Sequence, residues 1–107
     1  MTTDLLHRLD DMALRKQFGG GVVLRARTDV AEKLVLDIQV DADRVDLLRL
    51  EARVRRRRGK PIAVRAVLTK EGRRVLVDGL CDCEDSGVCR HVLAVLIAHR
   101  ARLERAA

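Results

Sequence analysis

Apolar and polar residues alternate along the middle of the chain, which is the pattern of strands with one buried face. The apolar positions of the first two stretches are Leu34, Leu36, Ile38 and Val40, then Leu48, Leu50, Ala52 and Val54. A third apolar run covers residues 62–68, and a turn signal at residues 70–73 precedes a fourth stretch at 75–83. The second stretch also fits a helix stopped by Gly59 and Pro61. Its alternation and the adjoining third run favour a hairpin, so we expect an antiparallel sheet of about four strands over residues 34–80.

Helical spacing occurs on both sides of these strands. Leu5, Leu9 and Met12 recur at i, i+4 and i+7, and the run Gly19–Gly21 is expected to end that helix. Residues 22–33 fit a helical face at steps of four and also a short strand. A second stripe begins after Arg90, and its members are Val92, Val95, Leu96, His99 and Leu103. We predict an α+β fold in one domain of residues 1–107. Residues 1–33 form a helical N-terminal part, 34–80 the antiparallel strands, and 81–107 a cysteine-rich knuckle and a C-terminal helix packed on the sheet.

The composition indicates an aliphatic core, and the charged residues are distributed unevenly along the chain. The chain has 107 residues with no Trp or Tyr and one Phe, so the core must consist of Leu, Val, Ile and Ala. Its net charge is +6. Residues 1–52 hold 8 basic and 10 acidic side chains, whereas residues 53–107 hold 14 basic and 6 acidic ones. A basic half of this kind attracts polyanions such as nucleic acid. The alternative is that a GC-rich genome favours Arg codons.

Three cysteines and a histidine lie within eleven residues, at Cys81, Cys83, Cys89 and His91. Thiolate sulfur and imidazole nitrogen are the ligands that Zn²⁺ prefers in a tetrahedral site. Residues two apart on a strand point to the same side, so Cys81 and Cys83 can face one ion, while Cys89 and His91 must straddle the start of the helix. We predict one structural Zn²⁺ on these four residues. The alternatives are ordinary buried thiols, a redox pair, or ligands shared between chains.

The spacing Cys-x-Cys, five residues, Cys-x-His, followed by the apolar residues 92–96, resembles the SWIM zinc finger. The resemblance implies that Cys81, Cys83, Cys89 and His91 are the zinc ligands. It extends upstream, because residues 50–68 look like the paired strands that precede the finger in bacterial members, and residues 4–35 like their helical part. The resemblance therefore implies a helix over residues 22–33. Such members often precede the motor of helicase-like remodelling ATPases. This chain departs from the pattern in its short spacer and in Glu84, where a Pro is common.

A basic run follows the second strand and is predicted to form the tip of a hairpin. Its members, the candidate nucleic-acid-binding residues, are Arg53, Arg55, Arg56, Arg57, Arg58 and Lys60. Each phosphate that such residues neutralise adds salt-dependent affinity, so we predict binding to nucleic acid, DNA in the first place. The alternative for the run is a solvated turn. The alternative function is a protein–protein adaptor or an accessory domain of a larger DNA-acting protein, docked through the C-terminal helix or a sheet edge.

Enzymatic activity is not expected. The only serine, Ser86, has no adjacent base, and no Gly-x-x-x-x-Gly-Lys loop is present. His7 and His99 are expected to be ordinary histidines. No signal peptide is visible, and the longest apolar stretch, Val92–Ala98, is far shorter than the ~20 residues that span a bilayer. We therefore expect a cytoplasmic protein whose partners are nucleic acid or protein, with no membrane and no small-molecule substrate.

Overall fold

Two helices, four strands and a third helix follow one another along the chain in a computed structural model that describes residues 5–6, 8–44, 46–56, 59–83 and 88–106. The elements are α1 (Asp11–Phe18), α2 (Gly20–Ala31), β1 (Val35–Arg44), β2 (Leu47–Val54), β3 (Ile62–Glu71), β4 (Arg74–Cys81) and α3 (Arg90–Ala106). The predicted α+β fold is confirmed. None of the described helices is long and apolar enough to span a membrane.

Residues 11–18 and 20–31 are helical, in agreement with the helix expected over residues 22–33. Asp10 caps α1, because its side chain accepts a hydrogen bond of 2.8 Å from the backbone N–H of Ala13. Gly19, with φ 95°, ends α1, but Gly20 and Gly21 lie inside α2, so only the first of the three glycines acts as a break. The predicted stripe is wrong at Met12, which is 66 % exposed. The chain turns at residues 8–9, so the helical phase does not continue from Leu5 to Met12.

The four strands form one antiparallel sheet in the order β1-β2-β3-β4. Strand β2 follows its predicted alternation, because Leu48, Leu50, Ala52 and Val54 are all buried. Leu50 is paired with Ala66 and Val54 with Ile62, so β2 and β3 present matching apolar residues to one face. The hairpin interpretation of residues 48–68 is therefore correct.

Strand β1 does not keep a single alternation. Asp37 has φ 53°, and the pairing with β2 shifts between Leu36 and Gln39. Before this bulge Val35 is paired with the buried Val54, and after it Val40 is paired with Leu50. The inserted residue moves the side chains that follow to the other face. The expectation that residues 34, 36, 38 and 40 share one face is therefore wrong.

Helix α3 covers one face of the sheet and supplies much of the core. Residues 92–96 are all buried, and α3 contacts α2 and all four strands. The helix and β4 approach closely at Gly79, where a Cβ would lie 2.7 Å from Val92 Cγ1 and 2.8 Å from the carbonyl oxygen of Arg65. Only glycine fits there, so this position sets how closely the first turns of α3 pack on β4.

Candidate metal centre

The end of β4 and the start of α3 bring the predicted ligands together. Cys81 is the last residue of β4, and Cys89 immediately precedes α3, whose first turn contains His91. Cys83 lies in the bend after β4, so it does not share a strand face with Cys81 as predicted. The bend starts from a fixed point, because Cys81 is paired with Val64 and the N–H of Asp82 donates to the carbonyl of Ala63 at 3.4 Å.

Three distances between the ligand atoms match those expected around a single tetrahedral ion. The Nδ1 atom of His91 lies 3.6 Å from Cys81 Sγ and 3.7 Å from Cys89 Sγ, and the Sγ atoms of Cys83 and Cys89 are 3.6 Å apart. All four ligand atoms lie within 4.8 Å of one another. Zinc bonds of about 2.3 Å to sulfur and 2.0–2.1 Å to nitrogen place tetrahedral ligands about 3.6–3.8 Å apart. The four residues therefore fit one zinc ion, which supplies the cross-link between β4 and α3 when bound.

These distances do not suit a disulfide. The Sγ atoms of Cys83 and Cys89 are 3.6 Å apart, well beyond the ~2.05 Å of an S–S bond, and all three cysteines are free of disulfides. Three thiols and an imidazole instead converge on one point.

Burial controls the protonation of the thiols. Cys89 is buried, and Cys81 and Cys83 are half-buried. Desolvation raises the pKa of Cys81 to about 12, and this effect outweighs a backbone hydrogen bond at Cys83 that lowers the pKa. Burial also raises the pKa of Cys89. Without a metal these two thiols stay protonated at neutral pH, so zinc must displace protons to bind, and its affinity falls as the pH falls.

A buried carboxylate that the sequence patterns did not identify lies beside this centre. Asp29 of α2 is 3 % exposed and accepts two hydrogen bonds from Arg90, of 3.0 Å at Nε and 2.6 Å at Nη2. Arg90 stands between Cys89 and His91, and this bidentate pair raises its pKa. The pair therefore joins the helical N-terminal part to the start of α3. The only signal in the sequence is an acidic residue three positions after the buried Ala26, on the inward face of α2.

The predicted basic residues lie partly at the same end of the sheet. The β2–β3 loop and the end of β4 are neighbours, because Ala63 and Val64 at the start of β3 contact residues 81–82. Arg55, Arg56 and Lys60 are exposed on this loop, and Arg56 Nε donates to the Lys60 carbonyl at 3.3 Å. Arg53 lies on the open face of the sheet, paired with Asp37. Arg57 and Arg58 fall outside the described residues. We call this end of the sheet the metal end, and the β3–β4 turn at residues 72–73 the turn end.

A small α+β unit whose last strand and helix are joined by three cysteines and one histidine is a zinc finger. Residues 64–100 match the model of the SWIM zinc finger family, and the four candidate zinc ligands lie within the matched segment. The matched segment covers most of β3, all of β4, the four ligands and the buried part of α3. The predicted resemblance to this family and the predicted site for one zinc ion are therefore confirmed. No curated protein and no solved structure matches the chain.

Proposed function

We propose that this zinc finger module binds the phosphate backbone of nucleic acid, DNA in the first place, through the Arg-rich segment from Arg53 to Lys60. The observation that carries the proposal is the placement of Arg55, Arg56 and Lys60, exposed on a loop beside the metal centre. Because β3 connects this loop to the metal-linked β4, the zinc ion holds the base of the loop in place. Arg57 and Arg58 belong to the same proposal through the sequence alone.

Binding is directed to the backbone rather than to bases. The chain has no Trp or Tyr and a single Phe, so it lacks the aromatic side chains on which unpaired bases stack. An Arg side chain donates two parallel hydrogen bonds to a phosphate, which favours a backbone grip independent of sequence.

The zinc ion has a structural role in this proposal, and the module is not itself an enzyme. Four protein ligands complete the tetrahedron and leave no position for water or substrate. We place the module in the cytoplasm of a bacterium, since its three cysteines must stay reduced to bind zinc and its motif resembles bacterial members of the family.

The test is the binding of the zinc-loaded chain to a labelled duplex between about 50 and about 200 mM salt, where the binding constant falls with a slope of about −0.9 per phosphate contact. The double variant Arg55→Gln/Arg56→Gln should bind more weakly, with a flatter slope and an unchanged melting temperature. Arg102→Gln/Arg105→Gln removes two exposed charges from α3 and is the matched control. Binding by the wild type that does not depend on salt, or no binding, would reject the proposal.

A protein-interaction role, as an adaptor or as an accessory domain of a larger DNA-acting protein, is the second candidate. The apolar side of α3 is buried in the core, which argues against docking through that helix. The open face of the sheet is the better surface, because Leu80 is 68 % and Leu76 41 % exposed on β4. A partner held there should be lost on Leu80→Asp and should persist as salt rises. The Arg55 and Arg56 substitutions should not affect it.

A further inference from the structure

A second basic surface, which no sequence pattern identified, lies in a groove between α1 and β4. The groove has a volume of about 950 Å³, and its floor contains the buried side chains of Leu9 and Val75. Its basic residues are Arg8, Lys16, Arg73 and Arg74. They come from two segments more than 50 residues apart in the sequence, so only the tertiary structure brings them together.

The four basic side chains of this basic groove form no ion pair with any residue that the structure describes. All four side chains belong to exposed residues, and no carboxylate is among the described residues that line the groove. Among the acids close to Arg8 in the sequence, Asp10 caps α1 and Asp11 pairs with Arg15 and Arg27. Glu71 is paired with Arg74 in the hairpin register, but no ion pair joins their side chains. The groove can therefore bind an anion that does not belong to the described part of the chain.

The basic groove is separate from the Arg-rich loop. The loop precedes Ile62 at the start of β3, whereas Arg73 and Arg74 follow Glu71 at its end. Ten strand residues at about 3.3 Å each put the two basic surfaces roughly 30 Å apart. A duplex with one phosphate per 3.4 Å of each strand covers that distance with about nine base pairs. An anion that engages both surfaces must therefore be a polymer.

We infer that the basic groove is a second contact site for the nucleic-acid backbone, which would be held at the turn end of the sheet as well as at the metal end. The inference rests on the proposed function. Three of the four cations are arginines, whose planar donors match phosphate oxygens. A polyphosphate backbone also carries the regularly repeated charge needed to reach two surfaces about 30 Å apart.

The experiment compares three double variants of the full zinc-loaded chain on one labelled duplex of about 20 base pairs, over about 50 to 200 mM salt. Arg73→Gln/Arg74→Gln alters one wall of the groove, and Arg8→Gln/Lys16→Gln alters the other. Arg102→Gln/Arg105→Gln on α3 has the same loss of charge outside the groove. Each groove variant should lose roughly tenfold in affinity near 100 mM salt and about two units of salt slope. Its melting temperature should be unchanged. The α3 control should keep an affinity and a salt slope close to those of the wild type.

Each other result has a distinct meaning. If the groove variants bind like the wild type while Arg55→Gln/Arg56→Gln binds weakly, the groove is not a second contact site. The proposed function would still stand. An equal loss of affinity in the α3 control would show an effect of net charge alone. It would also reject the groove as a second contact site. If the wild type binds polyglutamate but not the duplex, the groove takes acidic protein segments, and both proposals fail.

Discussion

The two ends of the sheet differ in what holds them together. At the metal end, four zinc ligands and the Asp29–Arg90 pair join β4, α3 and α2 within a few residues. At the turn end, the connections are the tight turn at Gly72, with φ 62°, and backbone hydrogen bonds such as that from Lys70 N–H to the Asp46 carbonyl at 2.8 Å. Both ends carry exposed basic residues. Substitutions of the zinc ligands or of the Asp29–Arg90 pair should therefore reduce stability, whereas substitutions of the exposed basic residues at either end should reduce binding alone.

Among the predictions that compare the two ends, removal of zinc should cause the largest loss of stability. A chelator, or Cys89→Ser, should unfold or loosen the chain by at least several kcal/mol, because metal binding energy is folding energy in such sites. Metal analysis should find one zinc per chain in the wild type and much less in the variant, and circular dichroism should follow the loss of structure. The comparison variant Arg73→Gln/Arg74→Gln should keep both its zinc and its melting temperature. A metal-free wild type that melts near its usual temperature would contradict this account of the metal end.

Breaking the Asp29–Arg90 ion pair should have the next largest effect on stability. Asp29→Asn should cost about 2–3 kcal/mol, because it leaves Arg90 with an imperfect partner at the start of α3. The matched control is Glu51→Gln, which breaks the Arg65–Glu51 pair on the open face of the sheet, where both side chains are about half exposed. That substitution should cost less than about 1 kcal/mol. Denaturant unfolding of the zinc-loaded proteins measures both, and equal costs would show that burial of Asp29 adds nothing.

Gly79→Ala tests the close packing of α3 on β4. The added methyl group would meet Val92 and the carbonyl of Arg65 at under 3.0 Å, so we expect a loss of about 1–3 kcal/mol. Gly21→Ala is the control, because a Cβ there meets nothing within 4 Å inside helix α2. It should be neutral or stabilise the chain by up to about 1 kcal/mol. A stable Gly79→Ala protein with wild-type melting would show that α3 has room to move away from β4.

The smallest expected effect concerns His99, in the middle of α3. Burial, with a smaller effect from the charge of Arg102, lowers the pKa of His99 below 6.5. The unfolded chain therefore takes up this proton first, and the His99 contribution to stability is lost as the pH falls through about 6.5 toward the lower folded pKa. His99→Gln should reduce the loss of stability between about pH 7.5 and 5.5 by less than about 1 kcal/mol. Acid release of zinc affects both proteins alike, so the difference between their unfolding curves isolates His99.

The sequence alone was sufficient wherever the information is local. The alternation in residues 48–54 predicted β2 because its period of two is a property of the strand itself. The clustering of Cys81, Cys83, Cys89 and His91 predicted the metal centre for a similar reason, since ligands within eleven residues must lie close together around any turn. The helix over residues 22–33 needed the family resemblance, because its spacing fitted two structures.

Only the tertiary structure decided the features that join distant segments. Asp29 and Arg90 are 61 residues apart, and neither residue identifies its partner in the sequence. The bulge at Asp37 reversed the expected face of β1, because register is set by the pairing with β2 rather than by the order of apolar residues. The basic groove likewise exists only because the fold places Arg8 and Lys16 near Arg73 and Arg74. Periodicity records which side of an element is apolar, whereas the choice of neighbour depends on how whole elements fit together around the core.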